Sequence, residues 1–170
     1  MMGSWKSTVG RKLSRSMQME FIDTDDEIEE ITEMKVADIF AEFGEPKFRE
    51  LESAYFIEKA KQSGLLFSTG GGIVLSGDNR KTLRQKGYTI LLDAKPETLA
   101  KRIQNTTKRP LLKGSENLEE NLQSIWETRY PLYLECAHHI IETMFKGLGL
   151  SLFRGLKKID NDVSSTKGML

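Results

Sequence analysis

The feature that most constrains the fold is a short apolar segment that ends in three consecutive glycines. Leu65–Ser68 forms the apolar segment, and Gly70–Gly72 follows it after one residue. A compact apolar run with turn residues on both sides is typical of a buried parallel strand. Glycines after such a strand let the backbone approach a ligand closely, because they carry no Cβ. The alternative interpretation is a flexible turn from a strand into a helix.

Helical and strand patterns alternate along the rest of the chain. The predicted helices span Lys6–Met17, Asp25–Glu42 (ended by Gly44), Glu45–Ser63, Asn79–Gln85, a segment that starts at Pro96, Leu118–Leu134 and Leu148–Lys158. The other predicted strands span Glu20–Ile22, Tyr88–Leu92 and His139–Glu142, and Asn105–Asn117 is predicted to be a loop. This alternation favours an α/β domain with a mainly parallel sheet. No strand is predicted ahead of the first helix.

Composition excludes several classes of protein. The chain has 170 residues, of which 38% are hydrophobic, and its 25 basic residues balance 25 acidic ones. Because the net charge is zero, no overall field attracts nucleic acid or a membrane. One cysteine, Cys136, excludes an internal disulfide, and with only two histidines a closed structural zinc site is not expected. Without a spanning segment or a secretory signal, the expectation is a cytoplasmic protein.

The balanced charge hides two strongly charged segments. Residues 20–33 hold eight acidic residues and no basic one, and residues 101–113 hold five basic residues and no acidic one. One interpretation is a pair of solvated helix faces. The other is an acidic wall beside a metal ion, facing a segment that binds phosphate.

Residues Gly3–Thr8 resemble the end of a Walker A phosphate loop, G-x-x-x-x-G-K-[ST]. In that motif backbone N–H groups cradle the phosphates, the lysine contacts the β- and γ-phosphates, and the next hydroxyl binds Mg²⁺. Lys6 and Ser7 fit these last two positions. Trp5 replaces the usual glycine, and a positive φ there would strain it. The motif's first glycine and its strand would fall before Met1, and a string this short is also compatible with a helix N-cap.

Five further segments resemble, in order and spacing, those of shikimate kinases. They are Phe21–Asp25, Ile39–Glu52, Ser68–Gly72, Lys108–Leu112 and Arg129–Tyr133. The resemblance runs from Met2 to Thr143. It implies a three-layer P-loop kinase fold with a parallel sheet, like that of nucleoside monophosphate kinases, with the first central strand missing from this chain. A single domain over residues 1–160 is expected, with a lid at residues 106–117 and a disordered tail at residues 161–170.

The same resemblance implies an activity and its partners. The expected reaction transfers the γ-phosphoryl group of ATP to the 3-hydroxyl of shikimate and gives shikimate 3-phosphate, a step toward chorismate and the aromatic amino acids. ATP and shikimate are the expected ligands, Mg²⁺ is the expected cofactor, and the expected state is a monomer.

The resemblance also implies a role for individual residues. Lys6, Asp25 and Arg109 would be catalytic, Asp25 as the base or orienter of the nucleophile and Arg109 from the lid. The residues expected to bind shikimate are Asp25, Arg49, Gly70, Gly71, Gly72 and Arg129. The residues expected to bind the nucleotide are Gly3, Ser4, Lys6, Ser7, Thr8, Arg102 and Arg109. Ser7 and Asp23 would hold the Mg²⁺ ion.

Several of these residues also have a purely structural interpretation. Asp23 is also compatible with a helix N-cap, Arg49 with ion pairs on a helix surface, and Arg102 with a solvated helix position. Phe40 and Phe48 would either wall the substrate or belong to the core. Cys136 and the two histidines need no function.

Three alternatives to an active shikimate kinase stay open. The first is an impaired or truncated relative that does not turn over, because of Trp5 and the missing strand. The second is a misassigned start of the chain. The third is a related small-molecule kinase, such as a gluconate kinase, which the Asp-Thr-Asp motif and the Gly-Glu-x-x-Phe-Arg motif at Gly44–Arg49 disfavour.

Overall fold

A computed structural model describes residues 1–103 and 117–143. Its helices are α1 (Lys6–Met17), α2 (Thr24–Thr32), α3 (Val36–Lys59), α4 (Gly77–Gln85), α5 (Pro96–Arg102) and α6 (Leu118–Cys136). Its strands are β1 (Glu20–Asp23), β2 (Leu65–Ser68), β3 (Ile90–Asp93) and β4 (His139–Glu142), and a 3-10 turn spans Ile73–Leu75. Three predicted segments lie outside the described residues. They are residues 106–116 of the lid, which include Arg109, the helix Leu148–Lys158, and the tail at residues 161–170.

Local sequence explains where most helices begin. Asp23 accepts a hydrogen bond from the Asp25 N–H at the start of α2, and Ser76 and Asn117 cap α4 and α6 in the same way. Pro96 opens α5, where its fixed φ suits the first turn and no N–H is needed. The predicted bounds of α1, β2 and β4 are confirmed.

The prediction of one helix over Asp25–Glu42 is wrong. Glu33 has a φ of 54°, in the left-handed region, and ends α2, while α3 begins only at Val36. Ile28 and Ile39 explain the break, since both are buried in one apolar cluster that requires α2 and α3 to pack against each other. Gly44 interrupts α3 with a φ of 80°, at the position predicted to end a helix.

The strands form two parallel pairs. β1 pairs with β2, with Asp23 opposite Ser68, and β3 pairs with β4, with Leu92 opposite Ile141. The predicted α/β architecture with parallel strands is therefore confirmed. The expected burial of β2 is wrong, because Leu65, Leu66 and Phe67 are only half-buried. The reason is an apolar groove of about 290 Å³ that runs along this strand.

The largest apolar cluster joins α3, α5 and α6. Its most buried members are Leu99, Leu122 and Cys136, and Phe56 is its buried member on α3. Cys136 is a core residue, as predicted, and the Nδ1 atom of His138 accepts a hydrogen bond from the Thr89 N–H. Within residues 1–103 and 117–143, no helix is both long and apolar enough to cross a membrane.

Candidate active site

Three chain segments meet where β1 and β2 end and α1 begins. The Ser7 hydroxyl donates to Asp23 Oδ2 at 2.6 Å and lies 3.2 Å from the Ser68 hydroxyl. Thr24 is fully buried, and its hydroxyl oxygen accepts a hydrogen bond from the Gly70 N–H at 3.2 Å. These contacts join the phosphate-loop region to the carboxyl ends of both strands.

Asp25 presents a carboxylate oxygen toward the interior of this junction. Its Oδ1 atom is buried and has no hydrogen-bond partner among the described residues. Burial raises the pKa of Asp25 above the ordinary aspartate value, and the neighbouring Asp23 carboxylate adds to the rise. Lys6 and Arg49 oppose this rise in the pKa, since their positive charges favour the ionised form of Asp25. A carboxylate with an open oxygen and a raised pKa is suited to accepting a proton.

The glycine triplet lies against this carboxylate and against Arg49. A Cβ atom on Gly70 would overlap the Glu52 carboxylate and lie 3.1 Å from Asp25 Oδ1. A Cβ atom on Gly72 would overlap the Arg49 guanidinium. Close approach of the backbone to charged side chains therefore explains these glycines better than turn flexibility does.

Arg49 is held between two glutamates of its own helix. Its Nη1 atom donates to Glu52 at 2.6 Å, and its Nη2 atom lies 3.0 Å from Glu45 Oε1. The Glu52 side chain is fully buried, and its second oxygen has no hydrogen-bond partner in the described part of the chain. The ion pairs expected for a helix surface are present, but they lie inside the site. Phe48, buried in the core, and the half-buried Phe40 place their rings beside the same guanidinium.

Arg129 reaches the same carboxylate from α6. Its side chain is only 9% exposed, and its Nη2 atom lies 3.9 Å from Glu45 Oε1. Glu45 therefore contacts both arginines that were predicted to bind a substrate carboxylate. The sequence placed Glu45 one helical turn before Arg49, but nothing in it connects Glu45 with a residue on α6. This shared partner was missed for that reason.

The phosphate-loop region has a strained backbone. Trp5 has φ 62° and ψ 24°, in the left-handed region that glycine adopts at little cost. No side chain caps α1, so the N-cap interpretation of this string is wrong. Ser4 is fully buried and its hydroxyl donates to the Met1 carbonyl, while Lys6 Nζ donates to the same oxygen at 3.0 Å. Gly3, with a φ of 79°, packs on α5, whereas Ser7 and Thr8 are exposed.

Arg102 lies beside the strained residue, so its interpretation as a solvated helix arginine is wrong. The Trp5 ring lies over its guanidinium at 3.8 Å, a cation–π contact. The guanidinium also donates to the Thr143 hydroxyl and to the Thr143 carbonyl oxygen. Burial lowers the pKa of Arg102. Arg102 is thus fixed beside the loop at the end of β4.

Comparison with known proteins agrees with this geometry. The family model described as shikimate kinase matches residues 2–147. A shikimate kinase of Histophilus somni is 39% identical over 160 residues, which are 94% of this chain and 91% of the relative. One of Burkholderia thailandensis is 38% identical over 143 residues, or 84% of this chain and 77% of the relative.

Solved structures give the same result. A shikimate kinase from Acinetobacter baumannii in complex with shikimate has a TM-score of 0.87 and 36% identity, over 98% of this chain and 90% of that one. A shikimate kinase from Bacteroides thetaiotaomicron has a TM-score of 0.85 and 30% identity, over 96% of this chain and 94% of that one. The fold is therefore the predicted P-loop kinase fold, and the chain belongs to the shikimate kinase family.

Proposed function

We propose that this chain uses ATP to phosphorylate the 3-hydroxyl of shikimate at the junction of α1, β1 and β2. The observation that carries the proposal is the position of Asp25 and Arg49 around the glycine triplet. Asp25 Oδ1 is buried without a partner beside Gly70, and the Arg49 guanidinium lies directly against Gly72. A hydroxyl-bearing carboxylate ligand matches a site that offers a proton acceptor and a guanidinium on one glycine-lined wall.

Arg49 and Arg129 would bind the shikimate carboxylate. Both guanidinium groups already face one carboxylate, that of Glu45, and both side chains are mostly buried, with exposures of 19% and 9%. A planar guanidinium matches a carboxylate with two parallel hydrogen bonds. The position of Glu45 between the two arginines supports recognition of a substrate carboxylate at this point. Shikimate would have to displace Glu45.

Asp25 would accept the proton of the 3-hydroxyl group while the oxygen of that hydroxyl attacks the γ-phosphorus of ATP. The new O–P bond forms as the bond between the γ-phosphorus and its bridging oxygen breaks, and ADP leaves. Lys6 would neutralise charge on the transferred group, as expected for a phosphate-loop lysine. Arg102, fixed beside Trp5, would flank the nucleotide, and Arg109 would act from the lid.

Ser7 and Asp23 would hold Mg²⁺. Their oxygens lie 2.6 Å apart, with the Ser68 hydroxyl 3.2 Å from Ser7 Oγ, and oxygen donors of this kind suit a hard cation. When bound, the ion would offset the negative charge of the ATP phosphates. We also propose a cytoplasmic monomer with one domain over residues 1–160.

The proposed activity is tested by following ADP release from the purified chain with Mg-ATP, with and without shikimate. We expect release that depends on shikimate. ADP release that is absent, or that is the same without shikimate, would contradict the proposal. Such a result would favour a chain that is catalytically impaired, for which the strain at Trp5 is the specific structural reason.

Replacing Asp23 by asparagine should raise the Mg²⁺ concentration needed for half-maximal activity by at least about tenfold, because one anionic oxygen donor is lost. Asparagine caps helices about as well as aspartate, so α2 keeps its cap and the fold is preserved. Asp78, whose side chain is 79% exposed on α4, provides the control Asp78→Asn. A Mg²⁺ titration checks the prediction, and an unchanged midpoint would remove Asp23 from the metal site.

Replacing Glu45 by glutamine should lower the KM for shikimate by about three- to tenfold. The substitution removes the charge that competes with the substrate carboxylate for Arg49 and Arg129, and charge-assisted hydrogen bonds of this kind contribute about 1.5–3 kcal/mol each. Glu50→Gln is the matched control, because Glu50 is exposed on the same helix and pairs with Lys47. Steady-state kinetics at varied shikimate concentration measure this KM for both variants and for the wild-type chain. A higher KM in Glu45→Gln would mean that Glu45 orients the arginines and does not compete with the substrate.

Replacing Trp5 by glycine should tighten ATP binding by about tenfold. Left-handed backbone costs an L-residue about 1–2 kcal/mol, and the indole also covers one face of Arg102. Glycine removes both the strain and the ring, so the loop can surround phosphates. Isothermal titration calorimetry with ATP measures the change.

Trp5→Ala separates the two causes. Alanine keeps a Cβ atom at positive φ but removes the indole, so an equal gain in both variants would assign the effect to the ring. Tighter ATP binding in Trp5→Gly alone would assign the effect to the strained backbone. Unchanged or weaker ATP binding in both variants would contradict the prediction.

A further inference from the structure

The buried hydroxyl of Tyr133 contacts the middle glycine of the triplet. It donates a hydrogen bond to the Gly71 carbonyl oxygen at 2.6 Å, while the Sδ atom of Met1 lies 3.4 Å from the same hydroxyl. Because a hydroxyl has one proton and a thioether is a weak acceptor, the proton goes to the carbonyl oxygen. Burial raises the pKa of Tyr133, so the hydroxyl stays a donor at neutral pH.

The missing side chain of Gly71 has a different cause from those of its neighbours. A Cβ atom on Gly71 would lie 3.3 Å from the Tyr133 hydroxyl oxygen, which is closer than ordinary van der Waals contact. Gly70 and Gly72 instead lie nearest to charged side chains of α3. The middle glycine therefore faces α6, whereas the two glycines beside it face α3.

The carbonyl that Tyr133 holds belongs to the peptide unit between Gly71 and Gly72. A trans peptide unit is planar, and its C=O and N–H groups point in opposite directions. The hydrogen bond from Tyr133 therefore directs the Gly72 N–H away from α6. Among the described residues, the N–H groups of Gly71 and Gly72 have no acceptor, whereas the Gly70 N–H donates to Thr24. The triplet thus offers two open donors beside Asp25 and Arg49.

The other hydrogen bonds of this turn do not hold that peptide unit. The Ile73 N–H donates to the Gly70 carbonyl at 3.3 Å, and the Leu75 N–H donates to the Gly72 carbonyl at 2.9 Å. Neither bond uses the peptide unit that Tyr133 contacts. Glycine has more accessible backbone conformations than any other residue, so a run of three needs a restraint to keep one conformation. The hydrogen bond from Tyr133 provides this restraint.

Tyr133 lies on the same face of α6 as Arg129. The two residues are four positions apart, which is about one helical turn, and both are buried. The Arg129 charge also acts on the hydroxyl, because it lowers the pKa of Tyr133 against the larger effect of burial. One face of α6 therefore carries a guanidinium for the substrate carboxylate and a contact to the glycine wall.

We propose that Tyr133 is a positioning residue, which fixes the peptide unit between Gly71 and Gly72 so that its N–H can bind a hydroxyl of the substrate. The inference rests on the proposed function, because the hydroxyl in question belongs to shikimate. Tyr133 acts through the glycine backbone. Losing the Tyr133 hydroxyl should therefore weaken binding of shikimate and leave binding of ATP unchanged.

The variant Tyr133→Phe removes the hydroxyl and keeps the ring. In the ligand-free chain, amide hydrogen exchange at Ile73 and Leu75, whose bonds close the turn, should become about fivefold faster, while exchange in α6 stays the same. Tyr130→Phe is the matched control on the same helix, because its hydroxyl contacts Asp93, at 3.4 Å, and not the triplet. This control should leave both amides unchanged. The measurement needs neither substrate nor turnover.

Calorimetric titration of the same variants tests the effect on the substrate. Tyr133→Phe should raise the Kd for shikimate about three- to tenfold, the factor that one hydrogen bond contributes, and change the Kd for ATP less than about twofold. A merely structural role would lower the melting temperature without changing the Kd of the folded chain for shikimate.

Three outcomes would overturn the proposal, and they are distinguishable. Unchanged exchange at Ile73 and Leu75 in Tyr133→Phe would show that the hydroxyl does not restrain the triplet. Faster exchange with an unchanged Kd for shikimate would mean that Tyr133 supports the turn alone. A wild-type chain that does not bind shikimate would contradict the proposed function and, with it, the role of Tyr133 toward this substrate. The exchange result, which needs no ligand, separates that failure from a failure of the restraint.

Discussion

Asp25→Asn is expected to lower kcat by about 10²- to 10⁴-fold, the usual contribution of a general base, and at the same time to raise the melting temperature. Asparagine has nearly the same shape but cannot accept the proton of the substrate hydroxyl. The loss of activity follows from the position of Asp25 Oδ1, buried and unpartnered beside Gly70. The gain in stability follows from its pKa, which burial raises.

The sign of the stability change depends on pH. Because the pKa of Asp25 is higher in the folded chain than in the unfolded chain, ionising it at neutral pH favours unfolding. Asparagine removes this penalty, so the variant is more stable at neutral pH. The advantage should disappear as pH falls below the unfolded pKa of aspartate, about 3.9, where the wild-type side chain is neutral in both states.

Kinetics and thermal unfolding over a range of pH check both effects. In the wild-type chain kcat/KM should fall as pH decreases through the raised pKa of Asp25, and Asp25→Asn should lose this acid limb. Asp26→Asn is the matched control, since Asp26 is the next residue, is 69% exposed and pairs with Arg11 on the surface. A variant Asp25→Asn that keeps more than about a tenth of wild-type kcat would exclude Asp25 as the base.

Local patterns predicted most of the elements that form this site. The bounds of α1 and β2 were predicted from helical spacing and from one apolar run, both of which are local properties. The break between α2 and α3 was missed, because apolar residues at helical spacing, among them Ile31 and Val36, continue across it in the sequence. The break becomes necessary only when Ile28 and Ile39 must enter the same cluster, which is a tertiary requirement.

Close contacts in the candidate site were predictable where a residue type has few other uses. Three glycines after a strand indicated close approach, and the structure places Asp25 and Arg49 against them. The environment of Arg102 was not predictable, since it depends on Trp5 and Thr143, which are distant in sequence. Glu45 was missed in the same way, because its contact with Arg129 connects α3 with α6.

The groove shows how burial of a strand depends on its neighbours. β2 has the composition of a strand covered on both faces and paired on both edges, yet its apolar residues are half-buried. A sequence specifies what a segment is suited to contact, and the contacts themselves depend on the neighbouring elements of the fold. The composition of β2 therefore agrees with a paired second edge.

Arg129→Ala is expected to raise the KM for shikimate by about 10- to 100-fold while changing the KM for ATP less than about twofold. A hydrogen bond to a charged group contributes about 1.5–3 kcal/mol, and every 1.4 kcal/mol corresponds to about tenfold. The Arg129 side chain is 9% exposed and faces the same carboxylate as Arg49, so its charge acts with little screening. Arg129→Lys keeps the charge but loses the planar fork, and it should give an intermediate KM.

A substrate analogue makes this test specific for the carboxylate. With the uncharged amide of shikimate, wild-type enzyme and Arg129→Ala should have similar KM values, because the group that Arg129 recognises is absent. With shikimate itself, the KM values of wild-type enzyme and Arg129→Ala should differ by the full 10- to 100-fold expected above. If Arg129→Ala raised the KM for the amide or for ATP as much as that for shikimate, Arg129 would be supporting α6 and not binding the carboxylate. Arg49 alone would then bind the carboxylate of shikimate, and the decrease in the KM for shikimate expected for Glu45→Gln would come from Arg49 only.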